Sequence, residues 1–219
     1  MGKGSVLYRA AKAATTRQQI LALAADLASA EGVEGLTIGR LAAELRMSKT
    51  GIFAHFGSKE ELQIATVNRA KEVFLEQVVK PALAEPRGVR RLQAMLAHWL
   101  KYVEQSIFRG GCFFAAASLE FDSRPGRVRD CVAALTKAWV DALRNEIAYA
   151  KAKKQIARGI VPAQLAFELH AFVQEANWAY KLHEDRSAFS RARRAITDRI
   201  SSVSRSSEQK LELKGSGEP

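Results

Sequence analysis

The sequence contains few cysteines and prolines, and it has no long run of apolar residues. Its two cysteines, Cys112 and Cys131, are far apart and have no histidine cluster nearby, which excludes a disulfide scaffold and a zinc finger. No stretch approaches the roughly 18 apolar residues of a membrane span, and no basic segment followed by an apolar one opens the chain. We therefore expect a cytoplasmic protein that is not secreted and has no membrane partner.

The scarcity of proline also bears on the fold class. Only five prolines occur in 219 residues, alanine is abundant, and no run of alternating β-branched residues is present. Hydrophobic residues make up 47% of the chain and charged residues 26%, the balance of a globular protein that buries a core without disulfides or metals. The composition therefore predicts an all-α protein.

The chain carries an excess of basic residues, with a formal net charge of +11. This excess favours a polyanionic partner such as nucleic acid or an anionic membrane surface, but it proves neither. Most of it lies outside residues 1–60, in the segments 151–154 and 186–205. We therefore expect this charge either to steer the protein toward a polyanion from a distance or to solvate long helices.

The two ends of the chain lack an apolar face. Residues 1–14 are polar to basic and are predicted to be a flexible arm, and residues 206–219 are predicted to be disordered. The first helix is expected to begin near Thr16, because Thr16 and Gln19 have the spacing of a capping box.

Two short helices are predicted next, over residues 37–45 and 49–56, with a three-residue turn between them. Helices this short need a third helix to pack on, and the first helix supplies it. The second would direct Lys49, Thr50 and Phe53 outward, and such a helix fits the major groove of DNA. The alternative is a helical hairpin inside a larger bundle, with a merely solvated outer face. The side chains expected to fill the shared core are Leu41, Leu45, Ile52 and Phe56.

Apolar stripes at helical spacing predict longer helices in the rest of the chain. One helix is expected to stop before Pro81. The segment 110–117 begins with glycine and is then strongly apolar, so we expect it to be buried. These helices are predicted over residues 58–80, 87–108, 128–158, 162–183 and 188–203.

The N-terminal part of the chain carries a specific residue pattern. It consists of Leu36-Thr37, Leu41-Ala42, Leu45 and the run Ser48-Lys49-Thr50-Gly51-Ile52-Phe53-Ala54-His55-Phe56-Gly57-Ser58-Lys59-Glu60-Glu61-Leu62. This pattern resembles the DNA-binding domain of the TetR family of bacterial transcriptional regulators. The segments 110–114 and 120–122 also resemble a subgroup of the C-terminal domains of that family, although they are less diagnostic.

The resemblance implies a domain organisation and a function. It implies an N-terminal three-helix helix-turn-helix domain over residues 15–62 and a larger helical effector-binding and dimerisation domain over residues 63–205. The expected protein is a homodimeric repressor that binds a palindromic operator in double-stranded DNA and is released by a small-molecule effector. No cofactor is expected.

The same resemblance suggests individual roles at the DNA. It implies base contacts from the start of the recognition helix, at residues 49–51, and phosphate contacts from Thr37, His55 and Lys59. Two positions depart from the family pattern: Phe53 replaces the usual tyrosine, and Arg46 replaces the usual glycine of the turn, where it is expected to adopt a left-handed conformation. The DNA-binding residues predicted in this way are Thr37, Arg46, Ser48, Lys49, Thr50, Gly51, Phe53, His55 and Lys59.

The C-terminal region is rich in bulky aromatics interleaved with a few polar groups. Such a lining is typical of a small-molecule pocket and favours an apolar or aromatic effector, but it is equally typical of a packed core. Cys112 is interpreted as a small buried hydrophobe. The candidate pocket residues are Trp99, Tyr102, Phe113, Phe114, Phe121, Trp139, Phe167, His170 and Trp178.

The last two predicted helices carry apolar stripes that suit a dimer interface, because two helices from each subunit make a four-helix bundle. The alternative is that these stripes close the core of the monomer, and both can hold, since each helix has two partly apolar faces. The candidate interface residues are Leu165, Leu169, Phe172, Val173 and Ala176, followed by Phe189, Ala192, Ile196, Ile200 and Val203.

No catalytic constellation and no metal site is predicted. His98, His170 and His183 lack the partner spacing of a helical metal site, and nothing brings serine, histidine and aspartate together. Two other functions stay open at this point: a nucleoid-type protein that binds DNA through charge alone, and an enzyme that inherited the fold.

Overall fold

The computed structural model describes residues 3–204, with side chains from residue 14 onward. Within this range the regular secondary structure is helical, apart from an isolated β-bridge between Ile156 and Ser204, and the helices are joined by turns and loops, which confirms the all-α fold class. None of the helices described is long and apolar enough to cross a membrane. The helices are α1 (Lys3–Glu31), α2 (Ile38–Leu45), α3 (Lys49–Phe56), α4 (Lys59–Phe74), α5 (Lys80–Ala82), α6 (Val89–Glu104), α7 (Phe113–Phe121), α8 (Arg127–Ala152), α9 (Pro162–His183) and α10 (Ser187–Val203).

The start of α1 differs from the prediction. The backbone is already helical at Lys3, so residues 3–14 of the segment predicted as an arm form the beginning of α1, and the expected start near Thr16 is wrong. The physical reason is that no proline and no glycine occurs between Ser5 and Glu31, so nothing interrupts a helix there. The tail predicted to be disordered, 206–219, lies outside the described residues.

The described chain forms two compact units. The N-terminal unit consists of the residues up to Phe74 together with Ser106–Thr136, and the C-terminal unit consists of Leu75–Gln105 and the described residues from Lys137 onward. The predicted domain boundary between residues 62 and 63 therefore falls inside α4, and α7, predicted to belong to the effector domain, packs with α1.

The N-terminal unit is built around α1, which packs against α2, α4 and α7. Ser29 and Gly110 mark a close approach of the segment before α7 to α1. The Gly110 N–H donates to Ser29 Oγ at 3.0 Å, and a Cβ at residue 110 would lie 1.8 Å from the carbonyl oxygen of Ser29. Only glycine fits there. The buried side chains around α1 to α4 are Ile20, Leu21, Ala24, Leu27, Leu36, Leu41, Ala42, Ile52, Phe56 and Leu62.

The C-terminal unit contains α6, α9 and α10, and most of its buried side chains come from these helices and from α8. Glu146 of α8 is buried and holds the residues just before α6 in place. It accepts hydrogen bonds from the Arg87 Nε–H at 3.0 Å and from the Gly88 N–H at 2.9 Å. The predicted bounds of α9 and α10 agree with the structure to within one residue.

Three helix ends in this region differ from the sequence predictions, and one of them is that of α6, which ends at Glu104 and not at residue 108. After α4 the chain continues through a π-helical turn, Leu75–Val79, into α5, and Pro81 is tolerated because it lies in the first turn of α5. α8 ends at Ala152 and not near residue 158, because Lys154 adopts a left-handed conformation with φ of 57° and the Gln155 N–H donates back to the carbonyl oxygen of Ala150.

Candidate nucleic-acid interface

The first short helix, α2, has a capped start and a left-handed end. The Arg40 N–H donates to Thr37 Oγ1 at 3.0 Å, which satisfies one of the unpaired amides of the first turn. At the other end Arg46 has φ of 53° and ψ of 39°, and its N–H donates to the carbonyl oxygens of the preceding turn. The left-handed conformation predicted for Arg46 is confirmed. This end turns the chain sharply toward α3.

The second short helix, α3, is fixed by a cap and by two buried side chains. Ser48 Oγ accepts from the Gly51 N–H at 3.0 Å. Ile52 and Phe56 point into the core, as their spacing predicts, and the guanidinium of Arg17 lies 5.1 Å from the centre of the Phe56 ring. Because one face is held in this way, the opposite face must lie outward.

That outward face carries the residues predicted to read bases. Lys49 and Thr50 are exposed, and half of the Phe53 surface is exposed, which is unusual for a phenylalanine. Gly51 and His55 are half-buried, and Thr37, Arg46, Ser48 and Lys59 are exposed. The structure therefore places all nine predicted DNA-binding residues at the surface of the N-terminal unit, on or beside α2 and α3.

The cations of this surface differ in whether they have an ion-pair partner within the described chain. Lys59 Nζ donates to Glu34 Oε1 at 2.6 Å, and Gln63 Nε2 donates to Glu34 Oε2 at 3.1 Å; these two hydrogen bonds hold the pKa of Glu34 below its usual value. In the part of the chain that is described, neither Arg46 nor Lys49 has an ion-pair partner. Arg46 and Lys49 are thus the cations available to a polyanion without breaking an internal contact.

Sequence reasoning missed Glu34 and Gln63. The contacts of Glu34 with Lys59 and Gln63 of α4 join residues 25 and 29 positions apart, and neither Glu34 nor Gln63 belongs to a local cap or an apolar stripe. Only the packing of the loop before α2 against α4 shows them. The resulting arrangement presents a short helix with a free outer face, an accessible N-terminus and nearby cations, which is the geometry that reads a major groove. The site defines a helix-turn-helix DNA-binding protein.

The candidate effector residues do not lie together in one cluster. In the C-terminal unit the Trp99 ring centre lies 5.5 Å from that of Trp139 and 5.1 Å from that of His170, and Tyr102 is buried. Burial lowers the pKa of His170, so its imidazole is neutral near pH 7. Gln174, one turn further along α9 and not predicted, has a buried Oε1 with no hydrogen-bond partner among the described residues.

The other candidates of the effector set lie elsewhere. Phe113 and Phe121 are buried in the N-terminal unit, where Phe114 packs against the ring of Phe113 at 5.4 Å. On α9, Phe167 is 67% exposed and Trp178 is 48% exposed, so the structure places neither of them in an interior lining.

The predicted dimer stripes are also placed differently. All of the ten candidate residues except the half-buried Phe172 are buried within their own chain, so they close the monomer core, which is the alternative that the sequence left open. The physical reason is that α9 and α10 pack on one another and use their apolar faces in that contact. The large apolar side chains that α9 leaves exposed are Phe167, Trp178 and Leu182.

Comparison with known proteins agrees with this site. Residues 20–66 match the family described as "Bacterial regulatory proteins, tetR family", and residues 88–196 match "Tetracyclin repressor-like, C-terminal domain". The HTH-type transcriptional regulator TcmR of Streptomyces glaucescens is 34% identical over 88 residues, which is 40% of this chain and 37% of TcmR. The match therefore spans little more than a third of that relative's length.

Two solved structures extend the likeness to most of the chain. A TetR transcriptional regulator from Chloroflexus aurantiacus is similar with a TM-score of 0.82 and 25% identity, over 89% of this chain and 98% of that one. AibR, solved with isovaleryl coenzyme A and operator DNA, is similar with a TM-score of 0.66 and 25% identity, over 85% and 97% of the two chains. The chain belongs to the TetR family: it is a DNA-binding transcriptional regulator and not an enzyme.

Proposed function

We propose that the protein is a homodimeric repressor that binds a palindromic operator and is released from it by a small-molecule effector. The observation that carries this proposal is α3, whose buried Ile52 and Phe56 force Lys49, Thr50 and Phe53 outward. Such a regulator acts in the cytoplasm, where bacterial DNA is found.

In this proposal the start of α3 reads bases. Lys49 meets a guanine edge or a phosphate, Thr50 meets a thymine methyl, and Gly51 lets the backbone approach the groove. Phe53 lacks the hydroxyl that would donate to a phosphate, so its exposed ring contributes only apolar or stacking contacts.

Phosphate contacts come from the flanks of α2 and α3. The Oγ1 of Thr37 already accepts from Arg40, so its hydroxyl hydrogen stays available to donate to a phosphate oxygen. Arg46 is exposed at the turn and has no ion pair in the described residues, which suits it to the same role. His55 and Lys59 complete the set.

For the dimer we propose the exposed face of α9, with a second copy of this chain as its occupant. Phe167, Trp178 and Leu182 recur near 4- and 11-residue spacings, so they lie along one side of the helix. A two-fold axis at this face makes the contact self-complementary, and a dimer that binds a palindromic operator needs its two recognition helices about 34–36 Å apart, one turn of DNA. This face replaces the buried stripes expected from the sequence.

For the effector we propose an apolar or aromatic molecule bound near Trp99, Trp139 and His170. Indoles in edge-to-face contact and a neutral imidazole suit a planar, uncharged ligand, and the buried Gln174 Oε1 accepts a hydrogen bond from one that carries a donor. The ligand releases DNA only through its differential affinity for two conformations, and a 100-fold release needs about 2.7 kcal/mol of coupling.

Binding competition at physiological salt tests the proposal. The DNA upstream of the protein's own gene competes with random DNA of equal length, and a footprint is recorded on the same fragment. We expect a specificity ratio well above ten and a two-fold symmetric footprint. A ratio near one would overturn the repressor function and show DNA binding through charge alone.

A further inference from the structure

The loop between α1 and α2 is held from outside the helix-turn-helix by Glu120 of α7. Glu120 Oε2 accepts from the Val33 N–H and Oε1 accepts from the Glu34 N–H, both at 2.7 Å. Gly32 precedes them with φ of 87°, and a Cβ at residue 32 would lie 2.9 Å from Glu120 Oε1. The loop therefore closes tightly over this carboxylate.

The same loop leads directly into the cap of α2. The Val33 carbonyl oxygen accepts from the Leu36 N–H at 3.3 Å and from Gln63 Nε2 at 3.0 Å, so both polar groups of the Val33 backbone are paired. Thr37, the proposed phosphate anchor, directly follows Leu36. The position of the Thr37 hydroxyl is thus fixed by a turn whose amides Glu120 holds.

The chain around Glu120 is anchored on both sides. The Arg109 N–H and Nε–H donate to the two carboxylate oxygens of Asp26, at 2.9 and 2.6 Å. Arg127 donates to Glu60 and Glu61 at the start of α4, at 2.9 and 2.7 Å. Because these ion pairs flank α7, Glu120 meets the loop from a fixed position and not from a mobile one.

We propose that Glu120 is a positioning residue for DNA binding: it holds the α1–α2 loop so that Thr37 reaches a DNA phosphate. This inference rests on the DNA contacts of the proposed function. A carboxylate near DNA repels phosphates by itself, so its removal through charge alone strengthens binding. Loss of binding on removing Glu120 would therefore report the lost hydrogen bonds.

The test compares E120Q with D122N in the full-length protein. Both variants remove one negative charge from the same end of α7, but exposed Asp122 contacts only the neighbouring Ser123 side chain in the described structure. The glutamine amide keeps the shape of Glu120 and accepts from only one of the two N–H groups. Binding is measured on operator and random DNA, with circular dichroism to verify that each variant is folded.

We expect E120Q to weaken binding about five- to tenfold on both DNAs alike, because a phosphate contact and not a base contact is misplaced. D122N should bind as tightly as wild type or slightly more tightly. In a T37V background, which lacks the Thr37 hydroxyl, E120Q should change affinity by less than about twofold.

Hydrogen exchange gives a second measurement, and its wild-type part needs no variant at all. In the wild type the Val33 and Glu34 amides should be protected, and in E120Q they should exchange faster while the amides of α3 do not change. Unprotected amides in the wild type, binding by E120Q equal to D122N, or a full E120Q effect in T37V would each overturn the role of Glu120. Binding to random DNA also depends on phosphate contacts. A specificity ratio near one would therefore overturn the proposed repressor function, whereas the comparison of E120Q with D122N would still test the role of Glu120.

Discussion

Lys59 donates a hydrogen bond to Glu34, with 2.6 Å between Nζ and Oε1, so the cation expected to bind a phosphate has an internal partner in the DNA-free chain. Both side chains are about half exposed, so this ion pair is worth less than about 1 kcal/mol and a DNA phosphate competes with it effectively. Glu34 therefore occupies the position from which a DNA phosphate would bind Lys59.

The substitution E34Q should therefore strengthen DNA binding a few-fold, by freeing Lys59 and removing one repulsive charge. Because phosphates carry no sequence information, the gain should be equal on operator and random DNA. Titration of both DNAs at fixed salt measures it. E72Q, which removes a carboxylate paired with Arg69 on α4, is the charge-matched control, and a gain as large in E72Q would contradict the competition.

Lys49→Ala should reduce the preference for the operator by roughly 1–3 kcal/mol, because Lys49 lies at the N-terminus of α3. Lys59→Ala should instead weaken binding to all DNA and lower the dependence of affinity on salt by about one phosphate. The specificity ratio and the slope of log affinity against log salt separate the two effects. Identical behaviour of the two variants would show that the division into base-reading and phosphate-binding residues is wrong.

Arg46 carries a conformational cost that glycine would relieve. Its φ of 53° disfavours any residue with a Cβ, so R46G should raise the free energy of unfolding by about 1 kcal/mol. R46A keeps the backbone cost and removes the charge, and it should show no such gain. Chemical denaturation compares their stabilities. Both variants should weaken binding to operator and random DNA equally, and a loss confined to the operator would contradict the phosphate role.

The dimer face can be tested with two leucines of similar exposure. Leu182, at the end of α9, is 61% exposed, and Leu119 on α7 is 73% exposed. L182E should convert the dimer to monomers, because it places a charge in an apolar contact, whereas L119E should leave the dimer intact. Sedimentation velocity at micromolar concentration measures both. A dimeric L182E variant would exclude this face.

His170 should make stability depend on pH. Burial lowers its folded-state pKa below the ordinary value of 6.5, so the unfolded chain binds a proton first as the pH falls. The free energy of unfolding should therefore decrease below pH 6.5, by at most about 1.4 kcal/mol per pH unit, until the folded-state pKa is reached. Denaturation midpoints between pH 7.5 and 5.5 measure it. H170Q should lose this part of the slope, whereas H183Q, at an exposed histidine of the same helix, should keep it.

Local signals explain what could be predicted from the sequence. Thr37 and Ser48 cap α2 and α3, and Ile52 and Phe56 bury one face of α3, because caps and four-residue spacings act within a few residues. The helix-turn-helix and its outward face follow from these residues alone.

The sequence-based predictions were wrong or incomplete where the structure depends on distant residues or on the absence of a helix breaker. Thr16 has the spacing of a cap but lies inside α1, and Lys154 ends α8 in a conformation usually taken by glycine. The contact of Glu120 with Val33 joins residues 87 positions apart and leaves no local pattern. An apolar stripe such as that of Leu169 on α9 has the same spacing in a monomer core and in an interface, so the sequence could not distinguish them.

The contact of Gly110 with Ser29 limits how this protein can vary. Since the backbone of α1 occupies the space of a Cβ at residue 110, every other amino acid there would force α7 away from α1. Glu120 would then move off the loop before α2 although no DNA-contacting residue had changed. Among homologues or in a randomised library, residue 110 should therefore tolerate glycine alone, and its loss should inactivate the regulator from a position remote in sequence from the recognition helix.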